Sequence, residues 1–142
     1  MAHPTFIDLF CGCGGFSLGL DRAGFKCLAA IDSNKEAVDT FRANFPSMGK
    51  DRVRQEDLSK FHPRSLANLI GNDSVDLIVG GPPCQGFSTA RQRDGANHGT
   101  RRLIPDARRQ LYRDYLRYVE FFNPRVFVIE NVLGIRSAAA GE

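Results

Sequence analysis

Five short strand-like stretches, four of them apolar, each breaking off into a turn rich in glycine, acid or amide groups, constrain this chain more than any other feature. They are Thr5 to Phe10, Lys26 to Ile31, Val53 to Gln55, Val75 to Val79 and Val126 to Ile129. Between them apolar residues return at helical spacing. Phe16 to Ala23 stops at Gly24, and Asn34 to Phe45 places Ala37, Phe41 and Phe45 on one face before Pro46. Pro63 to Ile70 is a weaker helix, followed by the turn Gly71-Asn72-Asp73. Asp106 to Phe122 carries Leu111, Tyr115, Val119 and Phe122 along one stripe and ends at Asn123-Pro124. Residues 47–52 read as a loop, and the polar, arginine-rich residues 89–104 read as a long loop at the functional face. Strictly alternating strands and helices predict an α/β fold: a mostly parallel sheet with helices on both faces.

The chain's 142 residues are enough for one domain with a proper core, and 42% apolar with 25% charged residues is ordinary for a globular protein. No apolar run approaches the roughly 20 residues of a membrane span, and no signal-peptide pattern opens the chain. The expectation is a cytoplasmic protein without membrane partners. Its four cysteines, Cys11, Cys13, Cys27 and Cys84, are then reduced thiols rather than a disulfide frame. The Cys-x-Cys pair has no second pair, and His3, His62 and His98 are scattered, so no metal site is expected. Charge is uneven: residues 91–125 hold nine arginines against four acids, while residues 1–90 hold nine lysines and arginines against ten acids. A polyanion such as nucleic acid would suit that asymmetry, as would a solvated arginine-rich helix face.

Ligands in sheets of this kind bind outside the carboxyl ends of the strands. The first strand ends in Cys11-Gly12-Cys13-Gly14-Gly15, whose glycines allow close backbone approach and lead into a helix N-terminus. The second ends at Asp32, about twenty residues beyond the glycine loop, where a carboxylate can reach ribose hydroxyls. The third is followed by Glu56-Asp57, the fourth by Gly80-Gly81-Pro82-Pro83-Cys84-Gln85, and the fifth by Glu130-Asn131. Glycine and proline stop the fourth strand abruptly and stiffen a loop presenting one thiol, which suits either a nucleophile or a buried structural cysteine. Turn or helix-cap chemistry is the lesser alternative for Asp32 and Asp57. A carboxylate directly after Val-Phe-Val-Ile should be partly buried and should need a partner.

Asp8-Leu9-Phe10-Cys11-Gly12-Cys13-Gly14-Gly15, Gly81-Pro82-Pro83-Cys84-Gln85-Gly86-Phe87-Ser88 and Glu130-Asn131-Val132 resemble, in order and spacing, three signature motifs of the DNA cytosine-5 methyltransferases. The resemblance implies a Rossmann-like, S-adenosylmethionine-dependent fold. It also implies methyl transfer to carbon 5 of a cytosine flipped out of double-stranded DNA. Cys84, as thiolate, would add to carbon 6. Glu130 would hydrogen-bond ring nitrogen 3 and the exocyclic amine, a task helped by a raised pKa. Phe10, Gly12 and Gly14 would hold the amino-acid end of S-adenosyl-L-methionine, Asp32 its ribose, and Asp57 and Leu58 its adenine; Pro82 and Leu111 complete that set. Asp106 and Arg109 look like a less sharply defined segment of the family. Gln85, Ser88 and Asn131 would face the DNA.

The family continues past Glu-Asn-Val into a base-supporting arginine segment, a target-recognition region and a closing cofactor segment. Here Gly134 to Glu142 ends the chain. The expectation is therefore a partial catalytic domain over residues 1–142, lacking C-terminal strands and target recognition. Activity alone would be weak or absent, and a separate C-terminal polypeptide would restore it. Restriction-modification, with access to the bacterial nucleoid, is the implied setting. Rival readings are a nicotinamide-dependent dehydrogenase half, which leaves Pro-Cys and Glu-Asn-Val unexplained, and a non-catalytic remnant binding S-adenosylmethionine, DNA or protein. Transfer-RNA methylation is a narrower variant, though Gln-Gly-Phe-Ser after Cys84 looks more like the DNA enzymes.

Overall fold

The computed structural model describes residues 3–83 and 110–131. Its elements run β1 (Thr5–Leu9), α1 (Gly15–Arg22), β2 (Lys26–Asp32), α2 (Lys35–Asn44), α3 (Gly49–Arg52), β3 (Val53–Gln55), α4 (Pro63–Ile70), β4 (Leu77–Gly80), α5 (Leu111–Phe122) and β5 (Val126–Ile129). All pairings are parallel, in the order β3-β2-β1-β4-β5. The strand order reverses direction beside β1, which places a crevice at the carboxyl ends of β1 and β4.

Side-chain alternation sorts the helices. Phe6, Leu77 and Val79 meet Phe16 and Leu20 of α1 on one face, where Ala30 and Val53 also meet Val38 and Phe41 of α2. On the other face Ile7, Leu9, Ile31 and Ile78 meet Leu66 and Ile70 of α4 and Tyr115 and Tyr118 of α5. The expected two-faced α/β layering is present. Near-continuous burial along β1, β2 and β4 explains why those strands read as apolar runs rather than alternating ones.

Residues 46–52 differ from the expected loop: a 3-10 turn, Pro46–Met48, runs into the short helix α3. Proline at the first turn position fixes its φ for such a turn, and Gly49, at φ 63°, supplies the reversal between the two. The last helix is described from Leu111 onward; the expected residues 106–109 and the expected loop 89–104 lie outside the described residues. Among the described residues no helix is long and apolar enough to cross a membrane.

Candidate active site

The glycine loop is built by its neighbours. Asp32, closing β2, accepts the Gly12 N–H at 2.9 Å on one carboxylate oxygen and the Asn34 N–H at 2.9 Å on the other. Asn34 in turn caps α2 through the Ala37 N–H at 2.8 Å. Asp32 therefore anchors the loop as well as lining the cavity described below, and its remaining lone pairs are still available to a ligand. Gly12 has φ 53° and faces open space, so the backbone there is bare toward solvent. Gly14 is different: a Cβ would lie 2.5 Å from the Phe45 ring and 3.0 Å from Phe41. Its lack of a side chain lets the loop pack on the tilted Phe41–Phe45 pair of α2. Phe10 adopts φ 56°, an uncommon backbone for a bulky residue and one that turns the chain out of β1 at the cavity rim.

A buried carboxyl underlies this loop. Asp8 is fully buried in β1 and accepts the Ser17 hydroxyl at 2.7 Å, while its other oxygen has no partner. Burial pushes its pKa up to about 7, opposed by the Ser17 hydrogen bonds and reinforced by the charge of Asp32. The same burial, with Asp8 beside them, drives the Cys11 thiol upward and Cys27 to about 12. Both are inert thiols rather than nucleophiles. Among the described residues no cluster of ligating side chains could hold a metal ion.

A cavity of about 610 Å³ opens at the carboxyl ends of the strands, lined by Phe10, Asp32, Ser33, Glu56, Asp57, Leu58, Ser59, Gly81, Pro83, Gln110, Leu111 and Asp114. Phe10, Asp32, Asp57, Leu58 and Leu111, chosen from the sequence, thus come together on one wall. Gly81, Pro83, Ser33, Glu56 and Asp114 were not singled out for it. Pro82 is buried, and its carbonyl accepts the Asn131 side-chain amide at 3.0 Å. The size suits a small-molecule ligand. Four carboxylates and an apolar floor suit one that is cationic at one end and aromatic at the other, which fits S-adenosyl-L-methionine.

The loop behind Asp57 is riveted from α5. Arg117 donates to the Leu58 carbonyl at 2.6 Å and the Phe61 carbonyl at 3.3 Å, and the Tyr118 hydroxyl donates to Phe61 at 2.5 Å. Asp57 accepts the Ser59 N–H and hydroxyl at 3.0 and 2.7 Å, which, with Lys60 nearby, holds its carboxyl below the usual range. Asp114 is shifted upward by desolvation, against the opposing charge of Arg117.

The β4 and β5 ends are joined to each other. Tyr115, fully buried, places its hydroxyl 2.9 Å from both the Ile78 and the Val128 carbonyls. Gly80 is bare because a Cβ would run into the Leu9 carbonyl and lie 2.8 Å from the Tyr115 ring. Beyond the strands, Glu130 lies over Gly81: a Cβ on Gly81 would sit 3.2 Å from the Glu130 Oε2. The Glu130 N–H donates to Gly80 at 2.9 Å, and Asn131 holds Pro82 as above. Asn131 therefore spans the two chain segments, with its amide on the turn that precedes Cys84 in sequence. Glu130 is exposed, not partly buried as its position after Val-Phe-Val-Ile suggested, because β5 is the outer strand of the described sheet. Cys84, Gln85 and Ser88, together with Asp106 and Arg109, lie outside the described residues.

Comparison with known proteins gives concordant results. Residues 4–142 match the family model described as C-5 cytosine-specific DNA methylase. The type II methyltransferase M1.HphI of Haemophilus parahaemolyticus is 41% identical over 97% of this chain and 35% of its own length. M.DdeI of Desulfomicrobium norvegicum is 44% identical over 94% of this chain and 29% of its own length. A prophage-encoded protein of E. coli, described as a DNA modification methyltransferase, superposes with a TM-score of 0.71 at 36% identity, covering 97% of this chain and 37% of that one. The S. pombe Dnmt2 methyltransferase shares the fold, with a TM-score of 0.65 at 24% identity over 95% of this chain and 38% of that one. The chain thus spans about a third of the length of these relatives.

Proposed function

The chain belongs to the C-5 cytosine-specific DNA methylase family, and from that premise we propose that it carries the cofactor pocket and the catalytic pair of a DNA cytosine-5 methyltransferase. One observation carries the reading. A cavity of about 610 Å³ lined by Phe10, Asp32, Asp57, Leu58 and Leu111 shares Gly81 with the turn on which Glu130 rests. Cofactor wall and base-contacting acid therefore meet at one residue.

In this reading Asp32 binds ribose hydroxyls while steadying Gly12, and Leu58 and Leu111 form the apolar floor under the adenine. S-adenosyl-L-methionine, when bound, supplies an electrophilic methyl group on a sulfonium. Cys84 adds as thiolate to carbon 6 of a flipped cytosine, and Glu130 hydrogen-bonds ring nitrogen 3 and the exocyclic amine as negative charge moves into the ring. Carbon 5, holding the electron pair so gained, would take the methyl as the S–CH3 bond breaks and the neutral thioether S-adenosyl-L-homocysteine leaves. Transfer of the carbon 5 proton to a solvent base would then expel the Cys84 thiolate and restore the double bond. Asn131 holds the Pro82 turn, which precedes Cys84 in sequence, against the Glu130 segment. Gln85 and Ser88 are assigned to the DNA side.

The partner is double-stranded DNA, met in a bacterial cytoplasm with access to the nucleoid. Reading of its sequence is assigned to chain outside these 142 residues, in the same or a separate polypeptide. The test is transfer of labelled methyl from S-adenosyl-L-methionine to cytosine in duplex DNA, by this chain alone and with the C-terminal part of a relative added. Incorporation that disappears in Cys84→Ser is expected; incorporation unaffected by that change would overturn the assignment of Cys84.

A further inference from the structure

Asp8 lies beneath the glycine loop without lining the cavity, and the mechanism above leaves it without a task. It is fully buried in β1, with one carboxyl oxygen on the Ser17 hydroxyl at 2.7 Å and the other without a partner. Ser17 is the third residue of α1, so the acid is tied to the first turn of that helix from the sheet side. The position that ordinarily carries a helix cap is Gly14, which has no side chain and, with Phe41 and Phe45 against it, no room for one. Asp8 stands in for the missing cap, from the strand instead of the loop.

The charge on Asp8 bears on what this turn can bind. The N–H groups of Gly15 and Phe16 meet no acceptor among the described residues, and Gly15 is exposed. With the bare backbone of Gly12 they make a donor-rich surface, which suits the carboxylate at the cofactor's amino-acid end. An ionised Asp8 under the same turn competes for the partial positive charge there and repels that carboxylate. A neutral Asp8 still accepts the Ser17 hydroxyl and leaves the turn's charge to the ligand.

The neighbours of Asp8 favour its neutral form. Its partners in the sheet are the apolar Ala30 of β2 and Val79 of β4. Asp32, at the end of β2, adds a like charge. Cys11 and Cys27 present thiols that burial keeps protonated, and Tyr115 of α5, bonded to two strand carbonyls, is shifted upward too. Among the described residues the basic group that reaches this cluster is Arg52, which acts on Cys27. Burial therefore lifts Asp8 to about 7 against the pull of Ser17, and it changes state near neutral pH.

We propose that Asp8 is a positioning residue whose neutral form sets the first turn of α1 for the ligand's amino-acid carboxylate, so that affinity for this end of the ligand falls as Asp8 ionises. The proposal rests on the cofactor reading above.

The experiment measures calorimetric binding of S-adenosyl-L-homocysteine and of methylthioadenosine, which lacks the amino-acid end, to this chain supplemented with the C-terminal part of a relative. Wild-type affinity for S-adenosyl-L-homocysteine should fall by about tenfold from about pH 6 to about pH 8, while that for methylthioadenosine stays level. Asp8→Asn keeps an acceptor for Ser17 and cannot ionise. It should hold at the higher pH the affinity that wild type shows at the lower one. Ser17→Ala removes a donor that favours the charged form, and should move the fall to higher pH. Unfolding temperatures of both variants at each pH serve as the folding control. A fall that persists in Asp8→Asn, one shared by methylthioadenosine, or a wild-type affinity level across this range overturns the proposal while the cofactor reading stands. Binding of neither ligand at any pH overturns both.

Discussion

The two ends of the sheet are finished differently. On the β1-β2-β3 side every strand end is tied to something internal: Asp32 to Gly12 and Asn34, Asp57 to Ser59, and the Leu58–Phe61 loop to Arg117 and Tyr118. Leu9, Ile31 and Val53 are fully buried. On the outer side β5 leaves Val126 55%, Phe127 49% and Val128 42% exposed. It is held to β4 by its ladder, by the Tyr115 hydroxyl and by the Asn131–Pro82 hydrogen bond. A cofactor pocket demands rigidity from the chain that builds it, and residues 3–62 supply much of that, with Arg117 and Tyr118 of α5 fastening the Leu58–Phe61 loop. The strand that presents Glu130 takes its position from α5 and β4 instead. The comparison makes the cofactor side a densely tied unit, braced once by α5, and Glu130 a residue placed by α5 and β4.

The strongest way to break this comparison is at Gly80, where the two sides meet. Gly80→Ala drives a methyl into the Leu9 carbonyl and the Tyr115 ring, neither of which can withdraw without disturbing β1 or α5. A loss of about 4 kcal/mol or more is expected in denaturant unfolding, enough to leave the chain largely unfolded. An unchanged midpoint would show that the joint is soft.

Asp8 comes next. Its folded pKa, raised to about 7 chiefly by burial, means the native state holds a proton that the unfolded chain gives up near 3.8. Stability must therefore fall as pH rises from about 4 to about 7 and level off above, by up to about 4 kcal/mol from this group. Asp8→Asn removes the titration and keeps an acceptor for Ser17. It should unfold at a higher temperature than wild type at pH 8, with the gap closing toward pH 5. A pH-independent gap would contradict the buried-acid account.

The glycine loop offers a sharper contrast within one side. Gly14→Ala meets the Phe45 and Phe41 rings as well as an unfavourable φ of 99°, for about 3 kcal/mol. Gly12→Ala meets only backbone strain, at φ 53°, for about 1 kcal/mol. Equal losses in thermal unfolding would mean that packing on α2 contributes nothing. Smallest of all, Val128→Thr on the exposed strand should change the stability of this chain by less than about 0.5 kcal/mol. A loss several times larger would show that β5 is not the open strand described above.

Much of this was readable from residue order. β-branched runs ending in glycine or acid marked the strands, and the fall of Asp32, Asp57 and the glycine loop at strand ends placed them on one edge before any coordinates. What order alone could not show are the contacts that cross the sheet. Tyr115 reads as one more apolar stripe residue, because its hydroxyl targets are backbone carbonyls on strands 13 and 37 residues away in sequence. Gly14 reads as a ligand-approach glycine because nothing local reveals Phe41 and Phe45 behind it. Pro82 and Pro83 are equivalent in sequence, yet one is buried under Asn131 and the other lines the cavity. Asp8 shows only as an acid inside an apolar run, a signal that could have marked it as a buried carboxyl. An apolar strand reads as a covered one, so the exposure of Glu130 beside the outer strand does not show in residue order.

The most direct test of the whole account is intact-mass analysis of this chain, supplemented with the C-terminal part of a relative, after incubation with 5-fluorocytosine duplex DNA and S-adenosyl-L-methionine. The account predicts a covalent protein–DNA adduct carrying the transferred methyl, mapped by digestion to Cys84, dependent on the cofactor and absent in Cys84→Ser. An adduct on another cysteine, or one that forms equally in Cys84→Ser, would contradict it.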